Sequence, residues 1–116
     1  MNYLWTTLHI RDVQRSLSFY RDLLGMRVDS HSKGQPEIIM LGEAGGPLLE
    51  LLRDEYLPDG LGKGMSVGYQ VDDLDAYLAK ARAADYAVSE PFVLPEMRFA
   101  FVTDPDGYQV QLVQMG

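Results

Sequence analysis

The chain has no cysteine in its 116 residues. Thiol nucleophiles, disulfide bridges and thiolate-bound zinc are therefore excluded, and the composition fits a cytoplasmic protein. Histidine is nearly absent too, with only His9 and His31, so no Ser-His-Asp or Cys-His catalytic set is apparent. Basic residues are few: ten Lys and Arg stand against seventeen Asp and Glu, for a net charge of −7. The ten are scattered, whereas phosphate binding needs them clustered, which argues against a nucleic-acid partner. No apolar run approaches the roughly 20 residues of a membrane span, and the start MNYLWTTLHIRD lacks the charged and apolar regions of a signal peptide. No membrane partner is expected, and the expected location is the cytoplasm. Gly42, Gly45, Gly46, Gly60, Gly62 and Gly64 lack the spacing of a P-loop or dinucleotide fingerprint, so no nucleotide cofactor is expected.

What is present is an ordinary globular composition, 47% hydrophobic and 23% charged, in a chain of single-domain length. Its most informative stretch is Phe99 to Gln114, FAFVTDPDGYQVQLVQ. Pro105 pre-sets a turn dihedral and Gly107 accepts a positive φ, so the two flanking apolar runs form a hairpin. In its second strand Gln109, Gln111 and Val113 share one face, and Val110, Leu112 and Gln114 the other.

From the start of the chain, residues 2 to 10 alternate as a strand, with Leu4, Leu8 and Ile10 on one side and Tyr3, Trp5, Thr7 and His9 on the other. Asp12 caps a helix ending at Gly25, with Val13, Leu17, Tyr20 and Leu24 as its apolar stripe. Strands follow near 27–30, 37–41 and 48–52. After a glycine-rich linker, 53–64, the order recurs. A strand at 65–71 leads to a helix capped by Asp72 or Asp73 and running through Arg82, then to strands near 87–89, 99–103 and 109–113.

Asp12 and Asp73 stand 61 apart, as do Leu17 and Leu78, Arg21 and Arg82, Gly46 and Gly107, and Leu51 and Leu112. A common offset through helix cap, turn glycine and strands marks a repeat. The expected fold is α+β, with two βαβββ modules (1–52 and 65–116, joined by 53–64) in one domain, 1–116, and helices on the outer face of a curved mixed sheet. The same offset pairs Trp5 with Ser66 and Glu50 with Gln111, all on the non-helical face.

Four stretches carry a resemblance: DVQRSLSFYRDLLGM at 12–26, LLELL at 48–52, GMSVGYQVDDLDAYL at 64–78, and FAFVTDPDGYQVQLV at 99–113. On these the chain resembles the vicinal oxygen chelate superfamily of glyoxalase I, fosfomycin-modifying enzymes, extradiol dioxygenases and bleomycin-binding resistance proteins. The resemblance implies the glyoxalase/bleomycin-resistance fold and, in metal-using members, ligands from four matched positions. Here those positions hold Trp5, Glu50, Ser66 and Gln111. Only Glu50 is an ordinary ligand, while a catalytic divalent metal usually takes about three. His9 lies four residues beyond Trp5, roughly 13 Å along a strand, too far to complete the set. No metal or other cofactor is expected, and glyoxalase I or extradiol dioxygenase chemistry is disfavoured.

Two readings stay open. One is a metal-independent protein that binds a small molecule, cationic or aromatic, in the sheet cavity, as drug-sequestering resistance proteins do. Its candidate contacts are Tyr3, Trp5, Thr7, Glu50, Ser66, Gln111 and Arg98, the last in a lid-like loop, 90–98. The other is a glyoxalase-family enzyme with Glu50 as general base or residual ligand. A structural module without ligand is the bland alternative. The apolar non-helical face, with the family's habit of dimerising, leads to the expectation of a homodimer.

Overall fold

The computed structural model describes all 116 residues and divides them into two compact units, Met1–Asp59 and Gly60–Gly116. In the first unit the order is β1 (Trp5–Ile10), α1 (Val13–Leu17) running into a π-helical segment (Ser18–Leu23), β2 (Val28–Ser32), β3 (Ile38–Leu41) and β4 (Leu48–Arg53). The second holds β5 (Ser66–Gln70), α2 (Leu74–Ala83), β6 (Phe92–Val93), β7 (Met97–Thr103) and β8 (Gln109–Met115). Each is a βαβββ module with a four-stranded mixed sheet, ordered β1-β4-β3-β2 in one and β5-β8-β7-β6 in the other. The α+β fold is as the repeat predicts.

The repeat is visible in the ladders. β1 runs parallel to β4 with Thr7 opposite Glu50, and β5 runs parallel to β8 with Gly68 opposite Gln111. Both pairs map onto each other at the 61-residue offset, as do Ile39 opposite Leu51 and Ala100 opposite Leu112. Trp5 lies opposite Leu48 and Ser66 opposite Gln109. Trp5 and Ser66 therefore share faces with Glu50 and Gln111 but stand two residues out of line with them.

Period-two alternation divides each sheet into a buried and an open face. In the first unit Leu8, Ile10, Ile39, Leu41, Leu49 and Leu51 are buried, while Thr7, Met40, Leu48, Glu50 and Leu52 between them are half-buried. In the second, α2 lies on β7 and β8 and buries Leu74, Leu78 and Ala81 alongside Ala100, Val102, Val110 and Leu112. Each of the buried Leu, Ile and Val side chains contributes about 1.5–3 kcal/mol relative to exposure.

The structure departs from the sequence reading in several places. β1 begins at Trp5 rather than Asn2, and Leu4 is 60% exposed although its carbonyl still accepts from the Leu48 amide at 2.9 Å. The first helix is not uniform. Leu24 N–H bonds to the Phe19 carbonyl, five residues back, at 3.0 Å. This wider turn rotates the stripe, so Ser16, Leu17, Phe19, Tyr20 and Leu23 are buried and Val13 and Leu24 only half-buried. Gly25 has φ +74 and ends the segment as expected. Residues 87–89 form no strand, only a bridge from Val88 to Val102. The supposed lid over 90–98 is instead a tight hairpin, in which β6 pairs with β7 and Leu94 N–H donates to the Met97 carbonyl at 2.9 Å.

Helix caps fall on Asp12, which accepts from Arg15 N–H at 3.1 Å, and on Asp73, which accepts from Ala76 N–H at 3.2 Å. α2 has a further acceptor from outside: Gln114 Oε1 takes the Leu74 amide at 2.8 Å, which explains a polar residue on the helix side of β8.

At the 104–107 turn the decisive group is Asp104, 4% exposed. Its Oδ1 accepts the amides of Asp106 at 2.9 Å and Tyr108 at 2.8 Å, and Gly107 has φ +98. Gly62 closes over the same turn. A Cβ there would come within 2.9 Å of both the Gly107 carbonyl oxygen and Tyr108 Cα, and its φ is +84.

Removing the acceptor leaves buried amides unbonded, a penalty of about 1–3 kcal/mol. Asp104→Ala should lower stability by that amount in urea titration, and Asp104→Asn by less because its carbonyl oxygen can still accept.

Candidate functional site

The open face of the first sheet carries the expected carboxylate. Glu50 emerges from the middle of β4 with Thr7 directly across on β1, and the Thr7 hydroxyl donates to Glu50 Oε1 at 2.6 Å. Around this pair lie Leu48 and Leu52 on β4 and Met40 on β3, all half-buried. Trp5 opens β1 on the same face and is 46% exposed. Tyr3 precedes the strand. Its hydroxyl bonds the Thr6 hydroxyl, so it is held beside β1 rather than aligned on it.

Past Thr7 on that face stands His9, whose Nδ1 lies 3.0 Å from Asp54 Oδ2. The other Asp54 oxygen accepts the Tyr56 amide at 3.0 Å, and the Asp54 amide donates to the Ile10 carbonyl at 2.9 Å. These bonds make Arg53 and Asp54 a continuation of β4 alongside β1 rather than free linker. Bonding to His9 first, and to the Tyr56 amide second, holds the Asp54 carboxyl below the usual carboxylate range. Beside this pair is a depression of about 640 Å³ whose walls include Lys33, Glu37, Leu52, Arg53, Asp54 and Tyr56.

His31 lies outside this face. It lies on β2 opposite Ile39, with Nε2 2.6 Å from Glu37 Oε2.

On the open face of the second unit, Gln111 has Gly68 across on β5 and Phe101 across on β7. A Cβ at Gly68 would meet Gln111 Oε1 at 3.6 Å, an ordinary contact. Three phenylalanines form a wall here. Phe92 stacks on Phe99 with centroids 5.1 Å apart, and Phe101 meets Phe99 edge-on at 5.9 Å. The strand register puts Phe99 and Phe101 on the Gln111 face. Arg98 lies on the other side, bonded to Asp75 of α2 at 3.0 Å. Ser66, at the start of β5, is exposed.

The family-implied metal has a poor donor set here. Trp5 offers no lone pair, Ser66 and Gln111 only neutral oxygens, and one Glu50 oxygen is already bonded to Thr7. No three His, Asp or Glu side chains cluster as metal ligands. These residues do not fit a catalytic divalent ion.

A family model described as "Glyoxalase/Bleomycin resistance protein/Dioxygenase superfamily" matches residues 3–112. A lactoylglutathione lyase of Haemophilus influenzae is 33% identical, with 98% of this chain and 93% of that protein covered. Among solved structures, the trypanothione-dependent glyoxalase I of Leishmania major superposes with a TM-score of 0.82 at 26% identity, over 98% of this chain and 86% of that one. TnmS3, an antibiotic-binding protein from a Streptomyces species, gives 0.76 at 21% identity, over 100% and 97%.

The His9–Asp54 bond has a titration signature. Because the native carboxyl is lowered, its contribution to stability is present above the ordinary carboxylate pKa of about 3.9 and is lost as pH falls through the lowered value. In His9→Gln, carboxyl-detected NMR should show Asp54 titrating closer to the ordinary value, with the Tyr56 amide bond accounting for what shift remains.

Proposed function

The chain belongs to the glyoxalase/bleomycin resistance protein/dioxygenase superfamily, and from that premise we propose that it is a metal-independent small-molecule binding protein whose ligand rests on an open face of one of its sheets. The observation that carries this reading is the donor set. Where metal-using relatives draw ligands, this chain has one competent ligand, Glu50, and that side chain is bonded to Thr7. What the faces offer instead suits binding: a half-exposed indole at Trp5, a carboxylate at Glu50, an amide at Gln111, and the ring wall of Phe92, Phe99 and Phe101. Flat rings match aromatic ligands by stacking, and the single carboxylate favours a cationic group. The same fold serves a protein named for antibiotic binding.

A second reading is supported by the lactoylglutathione lyase relative: an enzyme with Glu50 as general base. Glyoxalase I chemistry is disfavoured within it, since the position matched to Glu50 in the second unit holds Gln111, which cannot act as a base. For the oligomer, we propose a homodimer in which a second copy covers the half-buried apolar residues of the open faces.

A melting screen against planar aromatic and cationic compounds tests the binding reading. A true ligand at 100 times its Kd adds about 2.7 kcal/mol, and Trp5→Ala and Glu50→Gln should each remove most of that gain. Stabilisation unchanged in both variants would rule out this face as the site. Metal analysis after dialysis should find less than one equivalent, and methylglyoxal with glutathione should not turn over. One metal per chain, or metal-dependent turnover, would favour the enzyme. Sedimentation showing only a 13.0 kDa species at micromolar concentration would refute the dimer.

A further inference from the structure

We propose that the open face of the second unit is a binding site for neutral planar molecules with a lactam edge, an N–H beside a C=O, and that Gln111 reads that edge. This rests on the small-molecule binding reading and deepens it by naming the face and the ligand class.

Three glutamines lie on β8, and the fold uses two of them. Gln109 Nε2 donates to the Thr103 hydroxyl at 2.9 Å, and Gln114 Oε1 accepts the Leu74 amide at 2.8 Å. Gln111, half-buried in mid-strand between them, makes no side-chain hydrogen bond within the chain. At the matched rung of the first unit Glu50 has the Thr7 hydroxyl across from it, whereas Gln111 has Gly68, which offers neither a donor nor a Cβ. A Cβ built at Gly68 would meet only Gln111 Oε1 within 4 Å. The fold therefore leaves a carboxamide unanswered in the middle of the sheet, with open space on its β5 side.

A carboxamide presents a donor and an acceptor side by side, whichever way the group is turned. Its complement is an acceptor and a donor at the same spacing, as on the edge of a lactam ring. Two hydrogen bonds to one side chain fix the orientation of such a ring.

The surroundings set the rest of the ligand. Phe101 stands across from Gln111 on β7, with its ring at 87° to Phe99 and 81° to Phe92. Phe92 and Phe99 are themselves nearly parallel, at 16°. The three rings make a corner in which a flat ligand meets one ring face-on and another edge-on, both favourable arrangements for aromatic pairs. Phe92 is 50% exposed, so the corner is reachable from water. No Asp, Glu, Lys, Arg or His stands at the open-face positions of β5, β6, β7 or β8. An ionic ligand would give up hydration there without meeting a countercharge, so the face selects neutral compounds.

The test compares three probes of one shape by calorimetry and by NMR of the side-chain amides. Isoquinolin-1-one is a neutral lactam fused to an aromatic ring, 2-methylisoquinolin-1-one lacks its donor, and protonated 1-aminoisoquinoline presents two donors and no acceptor. Wild type should bind the lactam saturably, shift the Gln111 side-chain amide signals, and hold the N-methyl compound about tenfold more weakly or worse. Those signals are assigned by their loss in Gln111→Glu. A carboxylate only accepts, so Gln111→Glu should bind the lactam about tenfold more weakly and the aminoisoquinolinium more tightly than wild type does. Glu50 on the matched rung shows that this ladder accommodates a glutamate. Near-UV circular dichroism checks each fold. Should Gln111→Glu not fold, Gly68→Val puts a branched side chain beside the amide and should weaken the lactam by a similar factor, while His31→Gln should bind it like wild type.

No saturable binding of the lactam, equal affinity for its N-methyl form, or binding that leaves the Gln111 amide signals in place overturns the assignment. The last of these keeps the binding reading and moves the ligand to another face. Conversely, a lactam that shifts Gln111, with Trp5→Ala and Glu50→Gln without effect on every stabilising compound, removes the first unit's face and keeps this one.

Discussion

The parallel pairing of first and last strand in each unit is the constraint on which the rest depends. A strand's side chains alternate, so once β1 is locked to β4 with Thr7 against Glu50, every other residue on both is assigned to a face. Leu8 and Leu51 go to the buried side, and Thr7, His9 and Glu50 to the open one. A slip of β4 by one residue would put the Glu50 carboxylate into the core and turn Leu49 and Leu51 out to water. The cost of burying an unpaired charge excludes that register.

The parallel arrangement also explains why helices and turns carry so much specific chemistry. Parallel strands need a crossover, so each helix must start and stop at a fixed place. Asp12 and Asp73 supply the starts, and Gly25 ends the first helical segment. In the second unit Gln114 ties the far end of β8 to the first turn of α2, so strand register and helix position are set together. Asp104 does the corresponding work at the hairpin, holding two amides that no neighbouring strand can satisfy.

What the sequence reveals and what it hides divide along the same line. Features with a fixed period or a single-residue signature are legible: the 61-residue repeat, the capping aspartates, the positive φ at Gly25 and Gly107, and the face of Gln111. Features set by competition between local patterns are not. The helical spacing of Val13, Leu17, Tyr20 and Leu24 is sound for an α-helix, but one wide turn brings Phe19 and Leu23 inward in place of Val13 and Leu24. Arg98 looks like a loop residue because Pro95 and Glu96 precede it, yet its strand extends far enough to pair it with Asp75. The partnership of His9 and Asp54 spans 45 residues, and nothing in either local stretch announces it. Only the β1–β4 register brings them together.

The duplicated ladder makes one comparison unusually clean, because backbone position is held constant while the side chains differ. At the matched rungs the first unit has Thr7 with Glu50 and the second has Gly68 with Gln111. Glu and Gln have nearly the same shape, so the exchange removes a charge while leaving the room occupied almost unchanged. Thr against Gly removes a hydroxyl donor along with its Cβ. The two differences agree with each other: a carboxylate gains from a hydroxyl donor across the ladder, whereas a neutral amide has less need of one. Charge and its compensating hydrogen bond have therefore been kept together in one unit and dispensed with together in the other. The titratable pair near the open surface, His9–Asp54, lies in the first unit as well. The second has a ring wall beside Gln111 instead. The duplication that makes the fold symmetric thus leaves the chemistry unsymmetric, with ionisable groups on one sheet and apolar, amide-bearing surface on the other.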